Sequence, residues 1–250
     1  MRIRSFLLTA LAVLLPVIAM AAVLATVPIG RTDLAWWRER HEEKLAEIHR
    51  GPVELVWLGD SITQDWEKPA FQPIWQRFYG DRHAVNLGFI GDTTSSVLWR
   101  IAHGELSGIS PKVIVLLIGA NNMGRPHWDA SETVQGIEAI IAQIHERLPQ
   151  TKVLLLSVLP SHRSDWITAT TAEINRMLAT RYGAHQDGQV TYLDVTHIFM
   201  RDGKLDEGLF LDPTMNPPEP ALHPNPQGMA AIAAAMEPTL SAMLGDQPHK

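Results

Sequence analysis

The stretch Val53-Glu-Leu-Val-Trp-Leu-Gly-Asp-Ser-Ile-Thr63 is a run of apolar and β-branched residues that ends at a glycine. Such a run predicts a strand that is buried on both faces, as in a parallel sheet. Gly59 permits a sharp turn, after which Ser61 lies in a loop. Because ligands of open α/β sheets bind at the carboxyl ends of the strands, Ser61 is a candidate nucleophile. Gly-Asp-Ser alone is equally typical of a turn or a helix N-terminus, so other residues must support this interpretation.

Four further segments with strand character follow, and helical patterns alternate with them. The strands are predicted over 83–88, 112–118, 152–158 and 190–194, and the helices over 33–50, 69–79, 93–106, 131–148, 170–182 and 229–244. The helix over 33–50 is expected to have Asp33 as its N-cap, and the helix over 131–148 to have Ser131. The alternation predicts a doubly wound α/β fold, flavodoxin-like, with three α/β/α layers and a five-stranded parallel sheet.

The N-terminus predicts a membrane signal. Met1-Arg-Ile-Arg4 is basic, and residues 5–30 carry no charge and are almost wholly apolar. The run is long enough to span a bilayer, with the two arginines on the cytoplasmic side. Ala19-Met-Ala21 also fits a signal-peptidase site, but apolar residues continue as far as Ile29, which favours an uncleaved anchor.

We therefore expect a signal anchor or signal peptide over 1–30 and one domain over 31–250. The domain is expected to be exported. It would face the periplasm from the inner membrane, or be periplasmic or secreted if the signal is cleaved. Trp36 and Trp37 are expected to pack onto the domain or to lie at the membrane interface.

Composition excludes several classes of function. The net charge is −6 and no long basic run occurs, so we expect no nucleic-acid partner. The chain has no cysteine, which excludes disulfides, thiolate metal sites and a cysteine nucleophile. It also lacks an H-E-x-x-H motif or a comparable ligand cluster, so neither a metal nor a cofactor is expected.

Two more predicted strands end in residues that suit acyl transfer. Gly91 follows the strand over 83–88, and Asn121 follows the strand over 112–118. A serine nucleophile needs donors directed at the oxyanion that develops on the substrate. The backbone N–H of Gly91, the side-chain amide of Asn121 and the N–H of Ser61 could supply them. Taken singly, Gly91 is more simply interpreted as a turn glycine and Asn121 as a loop cap. The occurrence of Ser61, Gly91 and Asn121 at the ends of three successive strands favours an oxyanion hole.

A base is also required, and His223 is the candidate that we favour. It lies in Ala221-Leu-His-Pro-Asn-Pro-Gln-Gly228, a loop just before the last predicted helix. His162, at the end of the strand over 152–158, is a competitor with a suitable location.

Several motifs occur together in the middle of the chain: Asn86-Leu-Gly-Phe-Ile-Gly-Asp-Thr-Thr94, Val97-Leu-Trp-Arg100, Gly104-Glu-Leu106, Pro111-Lys-Val-Ile-Val115 and Asn121-Asn122. With them the chain resembles the GDSL/SGNH hydrolases, and within that family the catalytic α-subunits of platelet-activating-factor acetylhydrolase. The resemblance extends from Trp37 to about Leu244. It implies the SGNH hydrolase fold for the domain, a nucleophile at Ser61, a base at His223, and oxyanion donors at Gly91 and Asn121.

The chain departs from the family in one block. The family has an aspartate three residues before the histidine, where this chain has Pro220. One interpretation is that about eight residues, 213–220, are inserted between Asp212 and the block that holds His223, so that Asp212 keeps the role of the acid. Glu219 is the alternative acid, and a Ser-His dyad is a third arrangement. We favour Asp212.

The resulting expectation is a serine esterase that hydrolyses short-chain or acetyl esters through a covalent acyl-enzyme. The substrate would be a small acyl ester or an acylated glycan. An O-acetyl transferase or deacetylase of cell-surface polysaccharide is an alternative that uses the same serine. A membrane-tethered binding protein without catalysis is another, suggested by the proline at position 220. The resemblance would also allow a homodimer.

Overall fold

A computed structural model describes residues 22–183 and 188–249. Its centre is a parallel sheet with strand order β2-β1-β3-β4-β5. The strands are β1 Leu55–Gly59, β2 Ala84–Gly88, β3 Val113–Leu117, β4 Lys152–Leu156 and β5 Val190–Leu193. This order confirms the predicted flavodoxin-like fold, whose topological switch point lies between β1 and β3.

Helices cover both faces of the sheet and enclose two apolar cores. They are α1 Ala35–Ile48, α2 Ser61–Gln64, α3 Gln72–Tyr79, α4 Thr94–Arg100, α5 Ala130–Arg147, α6 Asp165–Tyr182 and α7 Pro226–Leu244. Side chains of α1, α4, α5 and α6 contribute to the core on one face, and those of α3 and α7 to the core on the other. Every residue of β1 and β3 is buried, because helices pack on both of their faces.

The register of the three neighbouring strands β2, β1 and β3 decides where their loops begin. Gly59, the last residue of β1, pairs with Gly88 of β2 and with Leu117 of β3. The loops that follow β1, β2 and β3 therefore leave the sheet at one edge, and at the same level. Polar residues in these loops are brought together although they are far apart in sequence.

Two predicted helix caps are wrong. Helix α5 begins after Asp129, whose side chain accepts the N–H of Glu132 at 2.8 Å, while the Glu132 carboxylate accepts the N–H of Asp129 at 3.0 Å. This reciprocal capping box satisfies two free donors, which Ser131 in the first turn cannot do. At α1 the N-cap is Leu34, and no side chain caps the helix. Asp33 lies one residue too early.

Several short elements were not predicted, among them α2, which replaces the loop expected at Ser61. In the segment predicted as one helix over 93–106, the α-helix ends at Arg100. A π-helical turn, Ile101–Glu105, follows it, and Gly104 in this turn has a φ of 101°. After β5 the chain also forms a small antiparallel hairpin of β6 Met200–Arg201 and β7 Lys204–Leu205.

Part of the segment assigned from the sequence to the N-terminal signal packs on the domain. Ala25 is fully buried, and its carbonyl accepts a hydrogen bond from Thr94 Oγ1 at 2.8 Å. The N–H of Ile29 donates to the carbonyl of Ser95 at 3.1 Å. A Cβ at Gly136 of α5 would lie 2.7 Å from the Ala25 oxygen, so this glycine makes room for the segment. By these contacts the folded domain begins before position 31.

The rest of the predicted signal, residues 1–21, lies outside the described residues. Within 22–183 and 188–249, no helix is both long and apolar enough to cross a membrane. The two tryptophans of α1 differ: Trp37 is fully buried and its Nε1 donates to Asp92 at 2.8 Å, whereas Trp36 is 40% exposed.

A buried ion cluster lies under the edge where β1 and β2 end. Arg100 pairs with Asp92 at 2.8 Å and with Glu105, and all three side chains are fully buried. Arg100 also donates to the carbonyl of Gly59 at 3.1 Å and to that of Leu87 at 3.2 Å. One guanidinium thus joins the ends of two neighbouring strands.

We expect Arg100→Met to lower the free energy of unfolding by about 3–5 kcal/mol, because two buried carboxylates would lose their cation. Urea denaturation followed by circular dichroism measures this. Arg176→Met is the control, since Arg176 pairs with Glu173 on the exposed surface of α6 and its removal should change stability little. Equal midpoints for wild type and Arg100→Met would contradict the assigned role of the cluster.

Candidate active site

Ser61 lies at the edge of the sheet, in the first position of α2. Asp60 precedes it and caps this helix by accepting the N–H of Ile62 at 3.0 Å. A Cβ on Gly59 would lie 2.3 Å from the carbonyl oxygen of Leu117, so only glycine allows the turn to pass this close to β3. The turn therefore places the serine beside the end of β3.

Ser61, His223 and Asp212 form a continuous chain of hydrogen bonds. Ser61 Oγ lies 2.9 Å from His223 Nε2, and His223 Nδ1 lies 2.7 Å from Asp212 Oδ1. The second oxygen of Asp212 accepts the backbone N–H groups of Leu222 at 2.8 Å and His223 at 2.6 Å. The carboxylate is thereby held in one orientation against the imidazole. This arrangement suits a histidine that takes a proton from a serine.

Backbone pairing closes the gap between Asp212 and His223. The N–H of Leu211 donates to the carbonyl of His223 at 2.8 Å, and the N–H of Asn225 donates to that of Leu209 at 2.9 Å. Phe210 and Pro224 form an isolated antiparallel bridge between the same two segments. The intervening residues 213–220 are mostly exposed. The acid and the base therefore meet across a loop.

The structure does not bring Glu219 to the histidine. Its side chain is exposed, and its backbone N–H donates to the carbonyl of Asp212 at 3.0 Å. His162 is likewise paired elsewhere, because its Nδ1 lies 2.9 Å from Glu207 Oε1 on the surface. Of the candidate acids and bases, Asp212 and His223 are the two that join Ser61.

Burial and hydrogen bonding shift the pKa values of both groups. Burial alone lowers the pKa of His223, but the hydrogen bond and the charge of Asp212 outweigh it and raise this pKa above its ordinary value of 6.5. For Asp212, burial raises the pKa, but the hydrogen bonds from His223 and Leu222 hold it below its ordinary value of 3.8. The pair therefore favours an ionised carboxylate that stabilises a protonated imidazole.

Gly91 and Asn121 both line a cavity of about 540 Å³. Gly91 has a φ of 75°, which favours glycine at this turn. Asn121 Nδ2 donates to the carbonyl of Asp92 at 3.1 Å, which ties the loop after β3 to the loop after β2. Asn122 strengthens this link, because its side-chain oxygen accepts the N–H of Thr94 at 3.0 Å. The two residues predicted as oxyanion donors are thus held together.

Two polar residues near the serine were not assigned a role from the sequence. Asp60 is buried, and burial raises its pKa to about 7, although the N–H of Ile62 acts in the opposite direction. Arg163 donates from Nη2 to the carbonyl of Ala120 at 2.8 Å, directly before Asn121. Its position shortly after the end of β4 is a signal that could have identified it. It supports the loop that carries the asparagine.

Among residues 22–183 and 188–249, no group of three or more His, Cys, Asp or Glu side chains is arranged to hold a metal ion.

The chain is similar to several known proteins. The chicken platelet-activating factor acetylhydrolase IB subunit alpha2 is 31% identical over 189 residues, which are 68% of this chain and 80% of that protein. A GDSL-like lipase from Bacteroides thetaiotaomicron superposes with a TM-score of 0.64 at 17% identity, over 82% of this chain and 97% of that one. A carbohydrate esterase family 3 protein from Talaromyces cellulolyticus superposes with a TM-score of 0.57 at 18% identity, over 78% of this chain and 99% of that one.

These two solved structures are too distant in sequence to show more than the shared fold. The model of the GDSL-like lipase/acylhydrolase family matches residues 57–231, which is more than half of the chain. This range includes Ser61, Asp212 and His223. The chain belongs to the GDSL-like lipase/acylhydrolase family.

Proposed function

We propose that this protein is a serine esterase that hydrolyses short-chain acyl esters through an acyl-enzyme. The observation that carries the proposal is the hydrogen-bonded series Ser61–His223–Asp212, with separations of 2.9 and 2.7 Å. A nucleophile, a base and a group that orients the base are the parts that serine acyl transfer needs. An acylhydrolase activity agrees with the family to which the chain belongs.

In the first half of the reaction, His223 Nε2 takes the proton of Ser61 as Oγ attacks the ester carbonyl. The tetrahedral intermediate carries its negative charge on the former carbonyl oxygen. The N–H groups of Gly91 and Ser61 and the amide of Asn121 are the proposed donors to that oxygen. His223 then returns the proton to the leaving alcohol, and the acyl group stays on Ser61.

In the second half, a water molecule replaces the alcohol. His223 takes its proton while the water oxygen attacks the acyl carbon, and the same donors stabilise the second intermediate. Collapse of this intermediate releases the carboxylic acid and returns the proton to Ser61. Asp212 remains ionised throughout and stabilises the imidazolium that forms in each half.

A deacetylase of cell-surface glycans is a second candidate that uses the same machinery. It is supported by the export that we propose on the basis of residues 1–30, because an exported esterase would meet cell-surface glycans. A binding protein without catalysis has less support, because the acid that it was supposed to lack is present as Asp212, hydrogen-bonded to His223.

We expect Ser61→Ala to abolish hydrolysis of 4-nitrophenyl acetate, because no other group takes the place of the nucleophile. The assay compares the purified full-length wild type and variant by release of 4-nitrophenolate. Thermal denaturation serves as the control, since loss of one hydroxyl should leave the melting temperature nearly unchanged. Wild-type turnover in a folded Ser61→Ala variant would refute the proposed function.

We expect Asp212→Asn to lower kcat about a thousandfold or more, because the amide no longer stabilises the imidazolium. Activity of the wild type should rise with pH through a pKa above 6.5, since His223 must be neutral to act as base. In Asp212→Asn this pKa should fall, because the charge that raises it is gone. Glu219→Gln is the matched control and should keep the wild-type rate and pH profile. A large loss in Glu219→Gln alone would assign the acid to Glu219.

We expect Asn121→Ala to lower kcat about a hundredfold with a smaller change in KM, because an oxyanion donor acts mainly in the transition state. Steady-state kinetics with 4-nitrophenyl acetate measure both constants. Asn122→Ala is a useful comparison, as Asn122 holds the same loop through Thr94 and its loss should reduce stability as well. Unchanged kcat in Asn121→Ala would remove Asn121 from the oxyanion hole.

A further inference from the structure

The cavity beside the candidate oxyanion donors is much larger than the acetyl group of a small ester. Its volume of about 540 Å³ lies in the range typical of small-molecule sites. An acetyl group needs on the order of 60 Å³, about twice the share of one water molecule in the liquid. Ser61 and His223 do not line the cavity, but Gly91 and Asn121 do, so the cavity adjoins the place where these two residues would hold a carbonyl oxygen. The acyl part of a short-chain ester is small, so the alcohol portion is the part of the substrate large enough to fill this space.

The lining of the cavity combines polar groups with an apolar part formed by Ile29, Pro126 and Trp128. Thr93, Ser95 and Ser96 contribute hydroxyl-bearing side chains to the wall, together with the amide of Asn121. Trp128 supplies an aromatic surface. A ring that carries hydroxyl groups can use both parts of this lining, because its faces pack on the apolar side chains while its hydroxyl groups meet the polar ones.

Two guanidinium groups give the cavity a positive charge. Arg31 lies in the segment packed against α4, and its Nη1 is 3.3 Å from Asp92 Oδ1, with the side chain 28% exposed. Arg125 is exposed, and no carboxylate of residues 22–183 and 188–249 lies within ion-pair distance of it. The chain as a whole has a net charge of −6. The wall of this cavity differs in sign, because it carries two arginines, of which Arg125 has no carboxylate partner among the described residues. It favours a ligand with negative charge.

We propose that this cavity binds the alcohol portion of the substrate, and that this alcohol is a hydroxylated ring bearing a negative charge, of the kind found in acidic sugars. The proposal rests on the proposed esterase function, because Ser61 must attack the ester whose alcohol occupies the cavity. Arg125 is the residue that selects the charge. Arg31 contributes as well, although part of its charge is balanced by Asp92.

The test uses two substrates that differ by one carboxylate: mono-O-acetylglucuronate and mono-O-acetylglucose. Acetate release by the full-length enzyme gives kcat/KM for each. We expect the wild type to favour the glucuronate ester. We expect Arg125→Gln to reduce the ratio of the two kcat/KM values about fivefold, since an exposed charge pair contributes up to about 1 kcal/mol. Higher salt should reduce the wild-type ratio in the same direction.

The control is Arg50→Gln, which makes the same change of charge at an exposed position just after α1. Arg50 precedes the amino end of β1, whereas the cavity lies at the carboxyl end of the sheet. This variant should keep the wild-type ratio. If Arg50→Gln lowered the ratio of the two kcat/KM values as much as Arg125→Gln does, the preference would come from the overall charge of the protein. That result would overturn the assignment of Arg125.

The two proposals fail in different ways. If the wild type hydrolyses 4-nitrophenyl acetate no faster than Ser61→Ala, the esterase function is wrong. If it hydrolyses that ester but shows no preference for the glucuronate, or if Arg125→Gln keeps the preference, only the charge selection is wrong. A much higher kcat/KM for an acetylated phospholipid than for either sugar would also overturn it in favour of a lipid alcohol.

Discussion

The buried guanidinium of Arg100 is the constraint on which the geometry of this site depends. It donates to the carbonyl of Gly59, two residues before the serine, and to the carbonyl of Leu87 at the end of the neighbouring strand. It also pairs with Asp92, the residue after Gly91. The loops that carry a nucleophile and an oxyanion donor are therefore attached to the same buried charge. Water cannot replace the protein partners of a buried guanidinium, so the loops that carry these partners are held in a single geometry at this edge of the sheet.

Asp92 extends this constraint in three directions. Its carboxylate accepts hydrogen bonds from Trp37 of α1 and from Arg100, and lies 3.3 Å from Arg31. Its carbonyl accepts from Asn121 after β3. Because one residue contacts α1, α4 and the ends of the strands, the candidate oxyanion hole is part of the core and not an independent loop. Burial raises the pKa of Asp92 while the charge of Arg100 opposes this shift, and the cluster holds both groups together.

The acid and the base show how backbone pairing tolerates a change in spacing. Between Asp212 and His223 lie ten residues, most of them exposed, yet the segments on either side are hydrogen-bonded to each other. The N–H groups of Leu222 and His223 both donate to the aspartate. These backbone bonds position the carboxylate irrespective of how long the loop outside them is. An insertion at this point therefore costs little, because its residues stay in solvent and the closure entropy grows slowly with length.

The sheet and the order of its elements follow from local patterns in the sequence, whereas Ser61 became the candidate nucleophile only when several motifs along the chain were considered together. Apolar runs that end at glycine mark buried strands, and their alternation with helices implies parallel pairing. The sequence also identified the histidine, and Asp212 as one of two carboxylates. That His223 is hydrogen-bonded to Asp212 and not to Glu219 is visible in the tertiary structure alone, since it depends on backbone pairing across a loop. The same holds for Ala25 and Ile29, which belong to the apolar signal predicted from the sequence but form hydrogen bonds with α4, and Ile29 also lines the cavity. Contacts between distant segments produce no periodic pattern in the sequence. They are therefore visible only in the burial and the hydrogen bonds of the folded chain.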